Sequence, residues 1–181
     1  MWIRQHDAIA FVDVDEYICV RDVSRSFQDI LEEFQAYPSL AINWRLFGSS
    51  RLSWDGSRDV VTRFTKCEAV LNRHVKQIVF PKSFKDNIDK AHFVNPHYGS
   101  WAAVNLQKNA VIGPFNTQCL DYVQPLELNH YVVKTWDECL AKCARGRADV
   151  SCKRNAEEFF REHDKNDIEN TVAKEFYEQK S

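Results

Sequence analysis

An apolar run that stops abruptly at negative charge is the strongest constraint in this sequence. In "AIAFVDVDEYICV", residues 8–20, hydrophobic side chains lead into Asp13 and Asp15, separated by one valine, with Glu16 directly behind them. A run this short is of strand rather than helix length, and predicts a buried, parallel strand over residues 8–14. On an extended strand Asp13 and Asp15 face the same side. Two carboxylates at the C-terminal end of a strand in an α/β sheet stand where such folds keep their ligands. Left unpaired they repel one another and lose hydration, and a divalent cation removes both penalties. Oxygen ligands alone favour Mg²⁺ or Mn²⁺ over zinc. The plainer alternative is a solvated acidic turn following a strand.

The next segments repeat the pattern of strand and helix. In "SFQDILEEFQAYP", Phe27, Ile30, Leu31 and Phe34 recur at helical spacing, with Ser26 as N-cap and Pro38 as a stop. "LAIN" supplies a further strand, so the first forty-odd residues read as a βαβ unit. "FGSSRLSWDGSRD" is rich in Gly, Ser and Asp and reads as a long, functional loop. "VVTRFTK" and "HVKQIVF" read as strands, the second closed by Pro81; residues 84–109 are mostly irregular, with a short strand near residues 102–106. "LELNHYVV" reads as a strand leading into "TWDECLAKCARGR", where Thr135 and Glu138 form a capping box and Gly146 ends the helix. Trp136, Cys139, Leu140 and Cys143 make the apolar stripe of that helix, and the charged tail, residues 155–179, is helical with a break at "HDKND". The predicted class is α/β, with a mixed, mostly parallel sheet flanked by helices in a single domain, residues 1–181.

Composition narrows the function classes. With 181 residues of which 44% are hydrophobic, the chain is long enough for a real core. A net charge of −2 offers no basic surface to nucleic acid or to an anionic membrane. No apolar run approaches the ~20 residues of a membrane span, and the N-terminus lacks the pattern of a signal peptide, so the expected location is cytoplasmic. Six cysteines (Cys19, Cys67, Cys119, Cys139, Cys143, Cys152) have the spacing of neither a zinc site nor a disulfide framework, and read as reduced thiols.

Two families carry a DxD after such a strand. Haloacid-dehalogenase-type phosphatases use DxDx(T/V), but Tyr17 stands at the T/V position and no later GDxxxD pair follows. The wider pattern resembles the nucleotide-sugar-dependent glycosyltransferases of the A-type fold. "FVDVDEYI", "INWRLFGSS", "NRHVKQIV" and "NHYVVKTWDECLAKCARGRAD" occur in the order and approximate spacing of the bacterial family-2-like enzymes related to family 92, over residues 7–170. Such enzymes carry the first strands of the nucleotide-binding half ahead of the DxD strand. Asp13 stands only about a dozen residues from the start of this sequence, so a partial A-type domain is expected.

The resemblance implies roles residue by residue. Asp13 and Asp15 look like the pair that binds the metal bridging a nucleoside diphosphate, with Mn²⁺ or Mg²⁺ as the ion and Glu16 behind. His130 looks like the histidine that completes the metal shell, although a satisfied strand histidine fits the same sequence. Asn43, Arg45, Gly48 and Ser49 look like a substrate-binding strand and loop, Gly48 allowing close approach of a sugar or acceptor. His74 and Lys76 share one strand face and look like further substrate contacts, or a solvated face. Lys134, Arg145 and Arg147 suit diphosphate charge, or simply flank a helix. Asp55 and Asp59 lie where a catalytic base is expected, or are turn residues. The implied reaction is transfer of a sugar from a nucleoside-diphosphate-sugar to a hydroxyl of a glycan or other acceptor, with inversion, as in polysaccharide biosynthesis. The competing expectation is a non-catalytic interaction module on a remnant scaffold.

Overall fold

The sheet is built around deeply buried strands: β5 (Val75–Val79) is buried at every residue and β3 (Ser39–Leu46) at every residue but Trp44. The structure, a computed structural model, describes residues 5–83, 94–95, 99–100, 103–118, 120, 123–146 and 155–179. In chain order the other elements are β1 (Ile9–Ala10), β2 (Glu16–Val20), α1 (Phe27–Glu32), β4 (Lys66–Cys67), β6 (Val94–Asn95) and β7 (Gly99–Ser100). After them come β8 (Ala103–Val104), β9 (Ala110–Val111), β10 (Leu126–His130), α2 (Trp136–Arg145), α3 (Ala156–His163), β11 (Ile168–Glu169) and α4 (Val172–Glu178).

The main sheet runs β1-β5-β3-β10-β2, with β8 joined to β3 and β9 to β8. β5 is antiparallel to β1 on one side and to β3 on the other, Val79 facing both Ile9 and Ser39. β8 and β9 are also antiparallel, whereas β3 and β8 run parallel. The molecule is therefore mixed α/β as expected, but its sheet is mostly antiparallel, and the arrangement is not clearly that of an A-type glycosyltransferase. The predicted βαβ unit fails for a specific reason. β1 and β3 do not neighbour each other, because β5 lies between them and pairs with both.

Contacts divide the chain into two compact units, Met1–Trp44 with Leu71–Leu128, and Arg45–Val70 with Asn129–Ser181. In the first, the sheet buries Leu40, Ile42, Ile78 and Leu128 against Ile30 and Phe34. α1 forms where expected, Ser26 capping it, and Asp29 closes a capping box. In the second, Phe47, Phe64, Cys67 and Tyr131 form a core, with the rings of Phe47 and Tyr131 4.6 Å apart. β11 pairs antiparallel with β4 in this unit.

The strand predicted over residues 8–14 is corrected: only Ile9 and Ala10 are paired, and Phe11, Val12 and Val14 are 40%, 46% and 97% exposed. The chain turns there instead. The Glu16 amide donates to the Asp13 carbonyl at 3.0 Å, and the Asp13 amide donates to Glu16 Oε2 at 2.9 Å. Asp13 and Asp15 thus belong to a turn leading into β2, not to the end of a buried parallel strand. "VVTRFTK" likewise forms turns before the two residues of β4. α2 matches its prediction, with the Thr135–Glu138 capping box and Gly146 at φ 80°. Among the described residues Cys19, Cys67, Cys139 and Cys143 form no disulfide, while Cys119 and Cys152 lie outside the described residues. No helix among the described residues is long and apolar enough to cross a membrane.

Candidate functional site

The acidic turn meets a lysine. Lys76 lies on the fully buried strand β5, so its four-carbon stem is packed and its ammonium must find anionic partners. It finds two: Asp13 Oδ2 at 2.9 Å and Glu16 Oε2 at 3.5 Å. The Asp13 side chain is 55% exposed, whereas that of Glu16 is fully enclosed. Glu16 Oε1 has no hydrogen-bond partner among the described residues. Burial raises the Glu16 carboxyl to about 7, against the opposing pull of the Asp13 amide and the Lys76 ammonium. Asp15, half-buried, is the next-but-one residue after Asp13 in the same turn. The first unit therefore holds three carboxylates and one ammonium within four consecutive residues and one facing strand.

His74, two residues before Lys76, is stacked on Trp44 with ring centroids 4.8 Å apart and 17° between planes, and meets Phe115 edge-on at 4.8 Å. Its Nδ1 lies 2.6 Å from Asn72 Oδ1. Asn43 is buried and donates to the carbonyls of Asn72 (2.8 Å) and Asn116 (3.1 Å) while accepting from Asn116 Nδ2 (2.8 Å). The carboxamide thus holds its own neighbours.

The second unit contains the long loop. Arg45 is buried and donates to the carbonyls of Glu68 and Ala69 at 3.0 and 2.9 Å, so its guanidinium fixes the chain around β4. Gly48 does permit a close approach, and what approaches is the chain itself. A Cβ there would lie 2.7 Å from the Lys165 carbonyl carbon and 2.8 Å from Asn166 Nδ2. Around it the "HDKND" break grips the loop. Asp164 Oδ1 accepts from the Ser49 amide at 2.5 Å, and Asn166 Oδ1 accepts from the Ser50 amide at 2.8 Å. Ser50 Oγ in turn accepts from the amides of Thr65 and Lys66 at 2.9 and 3.0 Å. Held this way, Ser50 and Arg51 both take left-handed backbone, φ 51° and 60°, which costs a non-glycine residue about 1 kcal/mol each.

The far side of the loop is held by Arg63. Its side chain is 7% exposed and donates to the Ser57 carbonyl at 2.9 Å. It pairs with Asp55 Oδ1 at 3.4 Å and with Glu138 Oε2 at 3.3 Å, and lies 5.2 Å from the ring centroid of Trp54. Asp55 Oδ1 also accepts from the Ser57 amide at 2.9 Å. Asp59 is a turn former whose Oδ1 accepts from the Thr62 amide at 3.3 Å. His130 is buried at the end of β10, its carbonyl accepting from the Phe47 amide at 3.0 Å. Lys134 is half-buried with φ 59°, directly ahead of the cap of α2, and Arg145 is exposed in the last turn of that helix. Arg147 lies outside the described residues.

The predicted site residues thus group by unit: Asp13, Asp15, Asn43, His74 and Lys76 in the first, and Arg45, Gly48, Ser49, Asp55, Asp59, His130, Lys134 and Arg145 in the second. Among the described residues, no set of three or more His, Cys, Asp and Glu side chains converges to hold a metal ion. Sequence reasoning missed Arg63, Asp164 and Asn166. A signal existed for the last two, because a helical tail broken by two aspartates and an asparagine needs a partner for those side chains. Compared with known proteins, the chain matches no family model and no curated protein.

Proposed function

We propose that this chain is a metal-dependent glycosyltransferase domain, transferring a sugar from a nucleoside-diphosphate-sugar to an acceptor hydroxyl with inversion. The observation that carries the reading is the turn Asp13–Glu16, which sets the Asp13 and Glu16 carboxylates beside the Lys76 ammonium, with Asp15 between them in the chain. The donor set suits a hard cation. Asp13 and Asp15 offer oxygen ligands, and the enclosed Glu16 Oε1 lacks a protein partner among the described residues. Mn²⁺ or Mg²⁺ held there would supply positive charge toward the leaving diphosphate. Lys76 provides a further cation at the same turn, suited to a phosphate oxygen once it is shared with Asp13. The acceptor hydroxyl needs a carboxylate to take its proton.

One observation favours a second reading. Lys76 already pairs with Asp13 and Glu16, so the same residues can serve a non-catalytic interaction module. Thermal denaturation with UDP, GDP, CDP and ADP, each with and without Mn²⁺, separates the two. Ligand binding to the folded chain raises its melting temperature by mass action. The glycosyltransferase reading expects a rise with one nucleotide that requires Mn²⁺ and disappears in Asp15→Asn. No rise with any nucleotide removes it and leaves the interaction module.

A further inference from the structure

The loop between Gly48 and Arg63 is more tightly built than its composition requires. At its start the backbone is strained at Ser50 and Arg51 and held there by Asp164 and Asn166. At its end Arg63, itself enclosed, holds Ser57, Asp55 and the Trp54 ring. Between these anchors residues 51–56 are exposed, and the fixed segment presents an indole that is 45% exposed. A large apolar ring left in water costs solvation free energy. The covered part of the ring packs against Arg63, while the exposed part gains nothing from folding and is nonetheless held on a rigid support.

We propose that residues 51–57 form a saccharide-binding platform, with the Trp54 indole stacking on a pyranose ring and Asp55 accepting hydrogen bonds from its hydroxyls. The chemistry fits a sugar better than other ligands. The face of an indole carries partial negative charge, which attracts the slightly positive axial C–H groups of a pyranose. The Arg63 guanidinium lies over the ring at 5.2 Å from its centroid and restrains its orientation, while 45% of the residue remains exposed. Directly beside it Asp55 has a side chain 58% exposed, with Oδ1 committed to Arg63 and Ser57 and Oδ2 available. A carboxylate fixed through one oxygen is a preorganised, charge-assisted acceptor for sugar hydroxyls. The proposal rests on the glycosyltransferase reading only in taking that sugar to be the acceptor.

The test is an NMR titration of the whole chain, free of nucleotide and metal. The probes are methyl β-glucoside, methyl β-galactoside, methyl α-mannoside and their short oligosaccharides, read at the indole N–H signal that is lost in Trp54→Phe. The expected result is a saturating shift of that signal with at least one sugar. Trp54→Ala should lower the affinity about tenfold, Trp54→Phe should lower it less, and Asp55→Asn should also weaken it. An unmoved Trp54 signal with every sugar overturns the proposal. So does binding that is undiminished in a folded Trp54→Ala variant. Sugar binding here combined with no nucleotide response in the melting experiment would remove the glycosyltransferase reading and leave the platform. A nucleotide response with a silent Trp54 would do the reverse.

Discussion

Gly48 and Gly56 separate two reasons for a glycine. Gly48 faces the Lys165 backbone, which cannot swing aside as a side chain would, whereas Gly56 has open space around its Cβ position but a φ of 86°. Gly48→Ala should therefore cost about 1–3 kcal/mol through overpacking and loosen residues 163–167, with a lowered melting temperature as the readout. Gly56→Ala should cost no more than about 1–2 kcal/mol and leave residues 163–167 untouched. Equal losses in the two variants would mean that the approach of the "HDKND" segment is not what Gly48 protects. Glu16 supplies a pH prediction at the same scale. Burial raises its carboxyl from the ordinary 4.5 to about 7, so the folded chain holds this proton more tightly than the unfolded chain does. Its contribution to stability is fully present below about pH 4.5, declines as pH rises, and is gone above about 7. Glu16→Gln keeps an oxygen acceptor for the Asp13 amide and removes the titration. Denaturant melts across this range, in a chelating buffer, should lose their downward slope in that variant. An unchanged slope would place the proton elsewhere.

At the scale of elements, what the sequence made legible was local. The capping box of α2 and its glycine stop are written within a dozen residues, and both appear as expected. The strands over "HVKQIVF" and "LELNHYVV" were legible as short segments of strand length bounded by Pro81 and by the cap of α2, although each buries polar residues, Lys76 and Gln77 in one and Glu127, Asn129 and His130 in the other. What pairs with what was not legible. An apolar run does not specify whether its neighbour is parallel, and the run at residues 8–14 proved to be a two-residue strand followed by an exposed turn. The site was obscured likewise. Lys76 joins the acidic turn from 63 residues away, and Asp164 reaches Ser49 from 115, distances over which no pattern in one sequence reports contact. The capping box carries a prediction because Glu138 does two things, closing the box with Thr135 and pairing with Arg63. Thr135→Ala should cost about 1 kcal/mol and speed hydrogen exchange in the first turn of α2 alone. Glu138→Ala should also speed exchange at residues 55–57, because Arg63 loses a partner. Exchange confined to α2 in both variants would show that Arg63 holds the loop without help from Glu138.

At the scale of the whole molecule, each unit is composed of two stretches separated in sequence, and this governs what can be cut. The second unit is discontinuous: Arg45–Val70 and Asn129–Ser181 are separated in sequence, and its core takes Phe47, Phe64 and Cys67 from the first piece but Tyr131 from the second. Its small strands divide in the same way, β4 coming from one piece and β11 from the other. Asn129–Ser181 alone would expose Tyr131 without the rings that enclose it, and would leave the Ile168 side of β11 without a partner strand. An isolated strand and three short helices bury too little apolar surface to offset the ordering of their backbone. This fragment should therefore give the narrow amide dispersion of an unfolded chain, despite holding α2, α3 and α4 intact. Adding the Arg45–Val70 peptide in excess should restore dispersed signals from Tyr131 and Ile168, because the peptide returns the core rings and the partner strand together. A fragment that folds without the peptide would show that helix packing sustains the unit by itself. The grip of Asp164 and Asn166 on residues 49–50 would then be a consequence of folding in this unit rather than one of its causes.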